Sequence, residues 1–253
     1  MTSPQHDVAA LRESTDTLLA ALEKHADGPT GPDALLTEPS RLPGWTRGHV
    51  LAHLARNADA LVNVLEGRPM YVSAEARDAD IERDAPRPLP AQLDDLRATA
   101  RRLDEVLARY ASGGDGGEDA WQKTVELRNG VTDRAGAIPF RRQVEVELHH
   151  LDLDLGHGPD ALPAAFTERL IAYLARRFSG NAEVPATELR TDDGRSWRTG
   201  RAAEPGGPDG QGDATGPVVV TGSARALACW LAGRTPGTGL TASTGTLPVL
   251  PPL

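Results

Sequence analysis

Four of the seven histidines fall in two short clusters. His49 and His53 are four residues apart, and Glu145 and His149 repeat that spacing within the run Arg142–Leu153. Residues four apart share one face of a helix. A carboxylate and an imidazole so placed can bind one ion. A histidine from a facing helix would complete a two-histidine, one-carboxylate centre, as bundles build them from inward side chains. Three protein ligands leave a coordination position open, which belongs to catalytic rather than structural sites. The donor set suits zinc, and equally non-haem iron or nickel. A plainer reading stands beside this one. Glu145 and His149 also fit an ordinary helical ion pair, with Arg141 four residues before Glu145, and His53 fits a hydrogen-bonded core histidine. His150 points about 100° away from His149 on a helix, so the two do not share an ion. Asp152 and Asp154 are placed either to orient a ligand imidazole or simply to charge a helix end.

The elements that must hold these residues are helical. Leu11, Leu18, Leu19 and Leu22 form a stripe over residues 5–26. Val50, Leu54, Leu61 and Leu65 do so over 46–66, where Pro43-Gly44 precedes a capping residue, Thr46. Leu93, Leu96, Leu103 and Leu107 mark a third helix over 90–111, and Val144, Leu148, Leu151 and Leu155 a fourth over 136–156, stopping before Gly156 and Gly158. Four helices of similar length predict an up-and-down bundle whose long middle links leave room for crossovers or extra turns. After Pro159 the texture changes. A helix over 163–178, short β-like runs at 187–191, 196–199 and 218–221, and a helix over 223–231 predict a smaller α/β domain. The expected fold class is therefore α+β, with a bundle over 1–160 and the α/β domain over 161–253. Two glycine-rich stretches, 112–117 and 205–216, read as loops, and the proline-rich ending LPVLPPL is unsuited to a central strand.

Composition narrows the function classes. A formal net charge of −9 argues against a nucleic-acid binder, which needs a basic surface. No stretch approaches the roughly 20 apolar residues of a membrane span, and the first residues show no secretory pattern. One cysteine, Cys229, permits no internal disulfide, so a cytoplasmic compartment is expected. Its neighbours Leu227, Ala228, Trp230 and Leu231 suggest a buried, inert thiol. Arg234 follows the last helix. It suits either the helix dipole there or bidentate contact with an anionic substrate.

Three segments together resemble a known family. LPGWTRGHVLAHLARNAD, from Leu42 to Asp59, is similar to the second helix of mycothiol-dependent maleylpyruvate isomerases. RQVEVELHHLDL, from Arg142 to Leu153, is similar to their fourth helix, and WLAGR, from Trp230 to Arg234, to the close of their C-terminal domain. The resemblance implies a DinB-like four-helix bundle carrying a divalent metal, usually zinc, on His53, Glu145 and His149, with the C-terminal domain closing the site. It implies mycothiol, a low-molecular-weight thiol, as cofactor, and an arginine at Arg234, with Arg225 close by as the other candidate. Metal coordination would favour the thiolate. Addition to an activated cis double bond, rotation and elimination would then turn maleylpyruvate into fumarylpyruvate. Arg234 would hold a substrate carboxylate, and His49 could shuttle a proton. A mycothiol S-transferase, in detoxification or natural-product biosynthesis, would use the same apparatus without the elimination. A non-catalytic metal-binding protein is the more distant alternative. The expected partners are the thiol and a small anionic or electrophilic substrate, with no nucleic acid or membrane, the chain acting as a monomer or weak homo-oligomer.

Overall fold

A computed structural model of the chain describes residues 3–26, 31–113, 117–201 and 216–253. The glycine-rich stretches 112–117 and 205–216 lie for the most part outside them. The chain divides into two compact units, Met1–Gly156 and His157–Leu253.

The first unit is built on four long helices: α1 (Pro4–Ala26), α3 (Arg47–Leu65), α5 (Leu89–Ala111) and α6 (Ile138–Asp152). Leu18, Leu54, Leu96 and Leu107 of the first three lie almost fully buried in one core, to which α6 adds Ile138 and Val146 rather than the Val144, Leu148 and Leu151 of its expected stripe, which are buried outside that core. Two shorter helices, α2 (Pro32–Thr37) and α4 (Ala74–Asp84), and a hairpin of β1 (Thr124–Glu126) with β2 (Thr132–Arg134) occupy the links.

The bundle is not a simple up-and-down one. The packed pairs are α3 with α5, α1 with α6, α3 with α6 and α1 with α5. The cross-links give the directions. Arg56 bonds Asp95, Asp59 bonds Arg102 and Glu66 bonds Arg109, so α3 and α5 run parallel. Arg47 reaches the Leu153 carbonyl, His53 meets Glu145 and Arg142 bonds Asn57, so α6 runs antiparallel to α3. Arg12 bonds Asp104 and Glu23 bonds Arg97, so α1 and α5 are antiparallel. The order is up, down, down, up. Parallel neighbours cannot be joined by a tight turn, which explains the long link from α3 to α5 and the helix α4 within it.

Helix α6 is also shorter than its apolar pattern suggested. It ends at Asp152, with Leu153 as its cap. The chain then turns through Asp154 (φ 52°) and Gly156 (φ 83°), left-handed conformations that no helix continues.

The second unit holds α7 (Ala164–Phe178), β3 (Thr187–Thr191), β4 (Ser196–Thr199), β5 (Val218–Gly222), α8 (Ala224–Leu231) and β6 (Thr241–Ala242). The sheet order is β4-β3-β5-β6, with β3 and β5 parallel and the outer pairs antiparallel. Leu189 and Val220 are fully buried, as are Leu170, Ile171 and Leu174 of α7 and Leu227 of α8. Strand β6, only two residues long, left no pattern in the sequence, and the proline-rich ending stays outside the sheet. No described helix is long and apolar enough to cross a membrane.

Candidate metal centre

The start of α3 is fixed by Thr46. Its Oγ1 accepts from the His49 amide at 3.4 Å, while His49 Nδ1 accepts from the Thr46 amide at 3.2 Å, a reciprocal cap. One turn further, His53 faces α6. The antiparallel run of α6 brings Glu145 and His149 opposite it.

His53 Nε2 lies 3.0 Å from Glu145 Oε2, and His149 Nε2 lies 3.4 Å from the same oxygen. The two rings meet edge to face, 4.7 Å between centroids. All three donor atoms lie within 4.8 Å of one another, the one such group of three among the described residues. Donors on a tetrahedral zinc with bonds of about 2.0–2.1 Å stand about 3.3–3.4 Å apart, so this spacing fits a cation. The wiring behind the donors fits too. His149 Nδ1 donates to the buried carboxylate of Asp152 at 2.9 Å, so the neutral form of this ring carries its lone pair on Nε2, the nitrogen on the Glu145 side. This is the carboxylate–histidine arrangement of metal sites.

Burial dominates His53 and, despite the opposing hydrogen bond to Glu145, pushes its pKa down to about 4. Burial also works against a charged His149, but hydrogen bonds to Asp152 and Glu145 outweigh it and hold its pKa above the ordinary value. Burial opposes the Glu145 carboxylate as well. The hydrogen bonds from His149 and His53 prevail and keep it ionised well below the usual range. Glu145 retains 36% of its side-chain surface, so the cluster has an open side.

The surroundings include residues that the spacing argument does not reach. Trp45 tilts over His53 at 5.5 Å between ring centroids. Arg77 of α4 donates from Nη2 to His53 Nδ1 at 3.1 Å and sits 5.9 Å over the Tyr71 ring. Arg142, one turn before Glu145, is 2% exposed and donates to Asn57 Oδ1 at 2.7 Å. Trp45 had a signal, as the residue before the cap of α3. Arg77 and Tyr71 have none, because the sequence shows no apolar period where α4 forms.

The other candidates are placed differently. His49 is not gathered with the cluster. Its Nδ1 serves the α3 cap and its Nε2 faces Glu82 at 3.3 Å, on a separate cavity of about 500 Å³. Arg141 pairs with Asp133 rather than Glu145, which removes its support for a surface ion-pair reading. Asp154 pairs with Arg41, leaving Asp152 to orient His149. In the second unit, Arg234 is half-buried and its Nη1 donates to the Ala232 carbonyl at 2.8 Å, while Arg225 pairs with the exposed Asp160. Cys229 is buried and its thiol pKa is pushed up to about 11 by burial, as suits an inert thiol.

No curated protein matches the chain. Two solved structures do, each over 100% of both chains. One is a crystal structure of the mycothiol-dependent maleylpyruvate isomerase, at 26% identity and TM-score 0.80. The other is a histidine-to-alanine mutant of the enzyme of that name, at 25% identity and TM-score 0.82. Residues 8–154 match the mycothiol maleylpyruvate isomerase N-terminal domain, and residues 161–252 match the MDMPI C-terminal domain. By both domains, the chain belongs to the mycothiol maleylpyruvate isomerase family.

Proposed function

We propose that the chain is a metal- and mycothiol-dependent isomerase that converts maleylpyruvate, or a closely similar substrate, to its trans isomer. The observation that carries this reading is the convergence of His53, Glu145 and His149 in a chain of this family. A divalent cation held by these three residues would supply the positive charge that keeps a thiol as thiolate near neutral pH. Asp152 holds the His149 ring in the tautomer that presents Nε2. Trp45 covers one flank of His53 and limits water there. The open side of Glu145 leaves room for thiol and substrate. In this reading Arg234 binds a substrate carboxylate.

The test begins with protein purified without added metal. Elemental analysis should find about one zinc, nickel or iron per chain, and His53→Ala should lose it while keeping its helical content. Maleylpyruvate should then isomerise only when mycothiol is present, with product and substrate of equal mass. A thiol adduct in place of the isomer would point to an S-transferase. Metal retention without turnover of either kind would point to a binding protein.

A further inference from the structure

We propose that a cavity at the far end of α3 is a second ligand site, which takes an amphiphilic organic anion: an apolar body with an anionic head. The cavity measures about 1060 Å³ and lies among the last turn of α3, the chain that leads to α4, the end of α5 and the β1–β2 hairpin. None of its walls belongs to the metal cluster. His53 to Val64 spans roughly 16 Å of helix at about 1.5 Å per residue, so the site is separate from the centre and independent of the reaction proposed above.

The first observation is charge. The walls carry four cations, Arg68, Arg109, Lys123 and Arg128, against two carboxylates, Glu66 and Glu126. The chain as a whole carries −9, so this local excess runs against its composition. Glu66 is shared by two guanidiniums, Arg68 at 2.6 Å and Arg109 at 3.1 Å. Arg128 is exposed and makes no ion pair with any of the described residues. Cations gathered in one cleft raise the local concentration of anions.

The second is apolar surface in the same space. Val64, Leu65, Val125 and Leu127, all buried, also line the cavity. Val72, 98% exposed, and Val131, 49% exposed, are two of the four large apolar side chains exposed among the described residues. Each stands next in sequence to a wall residue, Tyr71 and Gly130 respectively. Exposed apolar surface beside a cleft marks a binding site. An inorganic anion would leave it uncovered, whereas an amphiphile matches both halves.

The third is that the walls are pinned before any ligand arrives. Tyr110 Oη donates to the Leu65 carbonyl at 2.6 Å and ties α5 to α3, and Lys123 Nζ stands 6.0 Å from the Tyr110 ring centroid. In the hairpin the Leu127 amide donates to the Val131 carbonyl at 2.7 Å, closing a loop whose Asn129 and Gly130 take left-handed φ of 61° and 71°. A preformed site loses less conformational freedom on binding.

The test is a fluorescence titration of the full chain with anilinonaphthalenesulfonate, an aromatic amphiphile whose charge is a sulfonate. Binding should saturate at about one probe per chain and weaken with added salt. Lys123→Glu and Arg128→Glu should each lower the affinity roughly 10-fold or more, the scale of a lost charged hydrogen bond, with the melting temperature unchanged because both side chains are exposed. N-phenylnaphthylamine, the same rings without the sulfonate, should bind about 10-fold more weakly than the sulfonate for the same reason. His53→Ala should bind the sulfonate as the unmodified protein does. No saturable binding, unchanged affinity in both charge-reversed variants, or equal affinity for the uncharged probe would overturn the site. So would displacement of the probe by mycothiol, or its loss in His53→Ala, since the probe would then sit in the metal centre.

Discussion

Each residue of the candidate centre is set by what stands behind it. His149 and His53 are both buried, but Asp152 stands behind one and Arg77 behind the other. Burial lowers the basicity of His53, with Arg77 only a minor addition, while hydrogen bonds to Asp152 and Glu145 outweigh burial at His149 and raise its basicity. The sign follows for the metal-free protein. His53, lowered to about 4, takes up its proton more readily unfolded than folded between its ordinary 6.5 and that value. Stability is therefore lost as pH falls through this window, by up to about 3 kcal/mol. His149, raised above 6.5, contributes stability that is full below its unfolded pKa and lost as pH rises through its folded one. Glu145, lowered, adds a further loss only in stronger acid. The melting temperature of metal-free protein should peak near neutrality, falling steeply on the acid side and gently on the alkaline side. Thermal scans by circular dichroism across about pH 4 to 8 check this; a flat acid limb would contradict the burial of His53.

At the scale of elements, the site depends on how closely α3 approaches the chain that follows α4. Gly48 permits that approach. A Cβ added there would stand 2.2 Å from the Ala85 carbonyl oxygen, which already accepts a 2.8 Å hydrogen bond from Gln92. Gly48→Ala should cost about 1–3 kcal/mol by overpacking, read as a lower urea midpoint. The same region marks where the sequence was legible and where it was not. The four long helices were legible because each buries a leucine stripe along its whole length. Helix α4 was not: of its eleven residues only Ile81 and Asp84 are buried, too few to make a period. The hairpin strands are three residues each, shorter than any alternation can reveal. Helix direction was missed for a related reason. An apolar stripe reports which face is buried, not which way the neighbour runs. The metal-ligating candidates were legible because they sit on long helices at one-turn spacing. Arg77 was not, because its bond to His53 exists only through the fold of a link.

On the scale of the whole chain, the candidate centre ties two distant stretches together: His53 on α3, and Glu145 with His149 on α6. Metal binding should therefore stabilise these helices in particular. Chelation should raise amide hydrogen exchange across 47–65 and 138–152, with α7 as an internal reference that does not change. Equal exchange with and without metal would mean that the cluster carries no cation. The helix directions have a further consequence, in time rather than space. The parallel pair α3 and α5 with α4 between them lies within one continuous stretch of about sixty residues and can assemble early. Helix α1 meets α6 across a gap of 133 residues, as in the Ser14–Glu147 bond. Closing so long a loop is the slow step. The three candidate ligands are divided between α3 and this last helix, so the centre comes into being only when α6 docks, and the order of folding itself withholds the site from metal until the bundle is complete.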